Sequence, residues 1–267
     1  MSKKLLSNDY RTDKNHPRSF WDKLSVGTSF FFYLGFARLL FKYRKVALAG
    51  KFNTEIWAKS SMDIFEWTEK CGGKYDIKGL ENIDKTESPV VFVSNHQSIL
   101  ETMIFPGLIA TRREVTFVVK SSLPEHWLFG PVMRSRNPIA VERKDPMADF
   151  KKVMNDGAEF LAKGTSVVVF PQSKRVLGFD PKQFNTLGMK LAKSANVPVV
   201  PVAIKTDFWA NGKMIKDVGR LNRDLPIHIE FGEPIVIDGP GKKEHQQVLD
   251  FIESRMNAWQ EEVKSLS

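Results

Sequence analysis

Val90-Val91-Phe92-Val93-Ser94-Asn95-His96-Gln97-Ser98-Ile99-Leu100-Glu101 is the stretch that organises this chain. It opens as a short unbroken apolar run, the pattern of a strand covered on both faces. The run stops at Ser94, and a histidine and a carboxylate follow, five positions apart. Histidine exchanges protons near neutral pH and a carboxylate can orient it, so the pair points to an enzyme. On one regular helix His96 and Glu101 would stand about 140° apart and not meet. A helix that begins at Ser98 removes the conflict. His96 then sits in the strand-to-helix turn, and Glu101, at the third helical position, leans back toward it. The same residues also read as a capping box, with Ser98 capping the helix and Glu101 reaching back to the Ser98 N–H. The two roles compete for the same oxygens, and the sequence leaves the choice open.

Outward from this stretch, apolar β runs alternate with helical stretches. The expected strands are 74–78, 90–94, 115–119, 139–142, 166–170, 199–204 and 227–231. The expected helices are 98–110, 125–135, 146–163, 183–195 and 244–263. Gly239-Pro240-Gly241 is a turn before the last of them. Such alternation predicts a mixed, mostly parallel α/β sheet flanked by helices, over 73–267. Cys71-Gly72-Gly73 separates it from an N-terminal part, 1–72. There, 1–18 reads as a mobile polar tail, and two helices are expected near 20–45 and 52–70.

The segment from Leu24 to Phe41 is the most hydrophobic, rich in phenylalanine. Its uncharged window between Lys23 and Arg38 is short of the roughly 20 apolar residues that a span requires. Arg38, Lys42, Arg44 and Lys45 follow it, and Trp21 and Tyr43 stand near its ends. The favoured reading is an interfacial helix on an anionic leaflet, the first of two membrane-docking helices. A core helix and a true span are the alternatives.

The chain has 267 residues, a net charge of +9 and a single cysteine, Cys71. The charge favours anionic partners without choosing among them. One cysteine excludes an internal disulfide framework and a cysteine-based zinc site. No Walker A, Gly-x-Gly-x-x-Gly, Gly-x-Ser-x-Gly or His-Glu-x-x-His pattern occurs, so nucleotide hydrolysis, dinucleotide binding, ordinary serine hydrolysis and zinc proteolysis lose support. Nucleic-acid binding has charge alone to recommend it.

Three later segments join the first: Asn137-Pro138-Ile139-Ala140-Val141-Glu142-Arg143, Val168-Val169-Phe170-Pro171-Gln172-Ser173-Lys174-Arg175 and Val197-Pro198-Val199-Val200-Pro201-Val202-Ala203-Ile204. With Asn95 to Glu101, and in that order over roughly 74–235, they resemble the four blocks of the phospholipid and glycerol acyltransferase family, the PlsC-like 1-acyl-glycerol-3-phosphate acyltransferases. The third block of that family usually reads Phe-Pro-Glu-Gly-Thr-Arg. Here Gln172, Ser173 and Lys174 depart from it, while Phe170, Pro171 and Arg175 agree. The departure bears on the acceptor more than on the reaction, because the histidine and the acid are retained.

The resemblance implies transfer of a fatty acyl group from a thioester, acyl-CoA or acyl carrier protein, to the hydroxyl of a lysophospholipid. His96 would be the general base and Glu101 its orienting acid, with no protein nucleophile and no metal. Arg143 and Arg175 occupy positions associated with phosphate binding. Lys120 and Lys174 are added cations with a solvent-exposed reading beside the functional one. Backbone N–H groups near Gln172 and Ser173 are candidates for the oxyanion. The expected acceptor is 1-acyl-glycerol-3-phosphate. Glycerol 3-phosphate, another lysophospholipid or an aminolipid are alternatives, as is a non-catalytic lipid-binding protein on the same fold. Both substrates are amphiphiles, so the expected location is the cytoplasmic face of the inner membrane. His16, His126, His228 and His245 lie outside the blocks and read as surface or strand residues.

Overall fold

The apolar runs assemble into one eight-stranded sheet. The computed structural model describes residues 8–25, 28–172 and 174–266. In chain order the elements are β1 (Tyr10–Arg11), α1 (Phe20–Leu24), α2 (Phe30–Leu48), α3 (Thr54–Lys70), β2 (Tyr75–Lys78), β3 (Val91–Ser94), α4 (Leu100–Ile109), β4 (Val115–Lys120), α5 (Ser122–Glu125) and α6 (Gly130–Arg134). Then come β5 (Ile139–Val141), α7 (Pro146–Ala162), β6 (Ser166–Val169), α8 (Leu187–Ala195), β7 (Val199–Lys205), β8 (Ile227–Phe231) and α9 (Lys242–Leu266).

The strand order is β1-β2-β8-β7-β3-β6-β4-β5. Strands β7, β3, β6, β4 and β5 are mutually parallel, while β8 runs antiparallel to β7. The expected mixed, mostly parallel sheet is therefore present. Side chains alternate between its faces. Phe92, Val168 and Val200 join the core under α2, α3 and α4. Val91, Val93, Val167 and Val169 join the core under α7, α8 and α9. Strand β3 lies at the centre, and the chain leaves it through α4 on one face, whereas it leaves β6 toward α8 on the other. The carboxyl ends of β3 and β6 thus frame a topological switch point, where open α/β sheets form their crevices.

Local chemistry sets the helix ends. Asp145 caps α7 by accepting from Met147 N and Ala148 N, with Pro146 opening the helix. Asn53 caps α3 through Ile56 N. Asn196 ends α8 in the left-handed region, at φ 53°.

Three expectations change. Residues 8–18 are not a loose tail: Tyr10–Arg11 add an antiparallel edge strand to β2. Tyr10 Oη and Thr12 Oγ1 both donate to Glu69 of α3, each at 2.6 Å. The helix expected near 20–45 is two helices, and Val26-Gly27 between them lies outside the described residues. Of the helix expected at 125–135, Gly130–Arg134 is helical, with Pro131 in its first turn, while 126–129 is not; a separate short helix, Ser122–Glu125, precedes it.

The N-terminal helices differ in burial. Helix α3 buries Trp57, Met62, Ile64 and Phe65 and packs on α4. Helix α2 buries Phe32, Phe36, Tyr43 and Ala47. It approaches α3 at Gly35, where an added Cβ would lie 2.0 Å from the Trp67 ring. Its other face exposes Phe30, Leu34, Phe41 and Leu48. These four fall within an arc of about 40° at 100° per residue. No described helix is long and apolar enough to cross a membrane.

Candidate functional site

Strand β3 ends at Ser94 and helix α4 begins at Leu100, so His96 lies in the turn between them. Glu101 sits in the first turn of α4, fully buried. Its Oε1 accepts from His96 Nδ1, from Gln97 N and from Ser98 N, each at 2.8 Å. Its Oε2 lies 2.9 Å from Ser98 Oγ and accepts from Thr206 Oγ1 at 2.7 Å. Ser98 Oγ in turn accepts from Leu100 N at 3.0 Å. The contact to the imidazole and the Glu101 half of the capping box therefore coexist, because one oxygen serves the imidazole and two backbone donors together; the cap position itself is Ile99, without a side-chain cap bond. The helix starts two residues later than the sequence suggests, and the contact survives the shift.

A buried carboxylate acquires a raised pKa unless its charge is answered. Burial pushes Glu101 up, but the hydrogen bond and charge of His96, then Thr206, then the Ser98 N–H outweigh it, and the group ends below the ordinary value. A carboxylate accepting from Nδ1 fixes the proton there and leaves Nε2 as an acceptor. The imidazole also stacks on Phe170, with ring centroids 4.5 Å apart.

The backbone around His96 is held from three sides. Asn95 pairs with Ile204 of β7 through both its amide atoms, at 2.9 Å each. Gln97 accepts from Thr206 N at 2.8 Å and donates to Leu177 O at 2.7 Å. Gln172, just past β6, accepts from His96 N at 2.9 Å. It is 2% exposed, and its Nε2 has no hydrogen-bond partner among the described residues. Its side chain faces the turn rather than solvent. Neither Asn95, Gln97 nor Thr206 stands out in sequence, since their partners lie more than 70 residues away.

The cations gather at one edge. Lys120 closes β4, Arg143 follows β5, and Lys174 and Arg175 follow β6, all at carboxyl ends of parallel strands. Lys120 and Lys174 are exposed. Arg143 adopts φ 61°, a left-handed conformation uncommon outside glycine. Asp149 receives the backbone N–H groups of Glu142 and Arg143 there, at 2.9 and 2.8 Å. Although Arg143 stays exposed by area, protein crowds its guanidinium. Burial lowers its pKa, Asp149 opposes this, and the charge of Arg175 adds to it, so the two arginines share one field. Arg175 donates to Asp217 at 2.5 Å. Ser173 lies outside the described residues.

Glu101→Gln places an amide N–H₂ against donors that now face oxygen. The expected loss is about 1–3 kcal/mol of stability near neutral pH. The lowered carboxylate contributes stability above its unfolded value, about pH 4.3, and loses it as pH falls through the folded value. Urea unfolding of wild type and variant across this range should show the gap closing on acidification. A constant gap would contradict the assignment.

A family profile described as Acyltransferase matches residues 74–205. The 1-acyl-sn-glycerol-3-phosphate acyltransferase of Pseudomonas aeruginosa is 30% identical over 190 residues, which is 71% of this chain and 68% of that protein. The chloroplastic enzyme of the same description from Brassica napus, BAT2, is 30% identical over 57% of this chain, the match spanning 41% of its own length. The crystal structure of the 1-acyl-sn-glycerophosphate (LPA) acyltransferase PlsC from Thermotoga maritima superposes with a TM-score of 0.66 at 19% identity, covering 90% of this chain and 98% of that one. The chain belongs to the acyltransferase family.

Proposed function

We propose that this protein transfers a fatty acyl group from an acyl thioester to the free hydroxyl of 1-acyl-glycerol-3-phosphate, giving phosphatidic acid, with His96 as general base. The observation that carries the reading is the 2.8 Å contact of His96 Nδ1 with a buried, five-fold contacted carboxylate. It supports an imidazole that keeps a proton on Nδ1 and presents Nε2 as the basic atom. The names of the relatives support the acceptor.

In this reading Nε2 takes the proton of the acceptor hydroxyl as its oxygen attacks the thioester carbonyl. The C–O bond forms, and the carbonyl electrons move to oxygen. Collapse of that oxyanion breaks the C–S bond, and the imidazolium returns the proton to the departing thiolate. Glu101 stabilises the transient imidazolium without taking its proton. Backbone N–H groups around Gln172 and Ser173 remain the candidates for the oxyanion. Arg143 and Arg175 suit the acceptor phosphate, because guanidinium matches phosphate oxygens in bidentate fashion. Lys120 and Lys174 add charge to the same edge. The donor is acyl-CoA or acyl-ACP.

Docking follows from the exposed apolar surface. Phe20, Trp21 and Leu24 of α1 and the stripe Phe30, Leu34, Phe41 and Leu48 of α2 face outward. Arg38, Arg44 and Lys45 flank the stripe. This is the pattern of a helix lying in an anionic leaflet, and it supports action at a membrane surface, on the cytoplasmic side.

Two measurements test these proposals. His96→Ala should lower acyl transfer from acyl-CoA to 1-acyl-glycerol-3-phosphate by about 10²–10⁴-fold, the usual worth of a general base. Turnover at the wild-type rate would remove His96 from the mechanism. Phe30→Asp with Phe41→Asp changes two exposed residues, so the fold should persist while flotation with vesicles of anionic phospholipid is lost. Undiminished flotation would contradict docking through α2.

A further inference from the structure

The segment 206–226 between β7 and β8 leaves the same edge of the sheet as the cations. It is fastened at several points. Trp209 and Leu221 form a bridge at its base. Gly219 O accepts from Tyr33 Oη at 2.6 Å, and Leu221 N donates to Ser29 Oγ at 3.1 Å. Arg223 pairs with buried Asp22 at 2.9 Å. Gly212 N donates to Lys216 O at 3.0 Å, and a Cβ on Gly212 would lie 2.1 Å from Val218 O. The tip is thus a closed turn with a defined position.

From that turn Asp217 reaches the Arg175 guanidinium at 2.5 Å. Asn211 places its Oδ1 3.5 Å from the same nitrogen and donates its Nδ2 to Gln97 O at 2.8 Å. The loop therefore touches both the turn that carries His96 and the arginine assigned to the acceptor phosphate. A carboxylate on that arginine is a chemical stand-in for a phosphate oxygen. The pair is partly solvated, with side chains 20% and 34% exposed. Such ion pairs are weak, and a phosphate monoester of up to two negative charges can displace one carboxylate.

We propose that Asp217 is a specificity-determining residue that occupies Arg175 until the phosphate of the acceptor displaces it. The proposal rests on the phosphate role of Arg175. Competition of this kind weakens, by one common factor, every ligand whose phosphate must take Arg175, and leaves alone ligands that place no anion there. The acylated product keeps the phosphate of its precursor, so the factor applies equally to substrate and product. That is uniform binding, and relieving it changes KM rather than the chemical step. Closure of Asp217 onto Arg175 also favours product departure.

The test compares wild type, Asp217→Asn, Arg175→Ala and the double variant, using acyl-CoA as donor. The acceptors are 1-acyl-glycerol-3-phosphate and monoacylglycerol, with inorganic phosphate as a competing probe. Asp217→Asn should lower the KM for 1-acyl-glycerol-3-phosphate about threefold, the scale of a partly exposed ion pair. The inhibition constants of inorganic phosphate and of the product should fall by the same factor. The KM for monoacylglycerol, which offers Arg175 no anion, should stay at the wild-type value. In the Arg175→Ala background the asparagine should change nothing. A KM for 1-acyl-glycerol-3-phosphate that is unchanged or raised in Asp217→Asn would overturn the proposal, as a purely structural salt bridge would give that result. Thermal shift by inorganic phosphate reports the same binding without turnover, and an equal shift in wild type and Asp217→Asn would overturn it too. If Arg175→Ala impairs both acceptors equally, the phosphate role of Arg175 itself fails. If Arg175→Ala is selective and Asp217→Asn is silent, only the competition fails.

Discussion

The Glu101 carboxylate is the constraint on which the rest of this site depends. A full negative charge with no exposure to solvent is costly unless every lone pair is answered. Three donors on Oε1 and two hydroxyls at Oε2 meet that requirement. Each contact also does something for the geometry. The backbone donors fix the turn, Ser98 fixes the start of α4, and Thr206 ties α4 to the end of β7. The imidazole is the one partner that can respond to chemistry. The same charge that organises the turn is therefore available to a protonated His96, at no cost in rearrangement.

Placement in the sheet explains why the turn is rigid. β3 has neighbours on both sides, β7 and β6, and the site draws on both. Asn95 and Gln97 reach toward β7, while Gln172 reaches back from β6 to His96 N. The neutral amide at Gln172 still provides the acceptor that His96 N needs, which accounts for its compatibility with the fold despite the altered third block. The exposed cations ring the same edge, and the 206–226 segment links that edge to α1 and α2 through Asp22, Ser29 and Tyr33. The N-terminal helices, the cations and the proposed base thus belong to one connected scaffold.

Much of this was legible in the sequence because it is local. The alternation of apolar runs gave the sheet and its seven main strands, with ends shifted by a residue or so. The five-residue step from His96 to Glu101 and the reach of Glu101 to the Ser98 N–H both follow from turn geometry. What local pattern misses is pairing over distance. Asn95 meets Ile204 and Gln97 meets Thr206 across 109 positions. The Tyr10–Arg11 strand is two residues long, too short for periodicity to register, and it is defined by β2 and Glu69 rather than by itself. The rivalry between cap and orienting acid dissolved because a carboxylate oxygen can accept several donors, a fact of chemistry that a one-partner reading overlooks. Asp217 gave no signal at all, since it sits in a polar loop whose meaning comes from Arg175.

The central claim is that Glu101 holds the proton of His96 on Nδ1 and leaves Nε2 bare to act as base. The most direct measurement is nitrogen-15 NMR of the histidine side chains, with His96 assigned by comparison with His96→Ala. The account predicts a protonated Nδ1 and an unprotonated Nε2 for the neutral ring of the free protein. It also predicts that Glu101→Gln disturbs this tautomer. A neutral His96 protonated at Nε2 would contradict the account, since that ring could neither donate to Glu101 nor receive a hydroxyl proton at the open nitrogen.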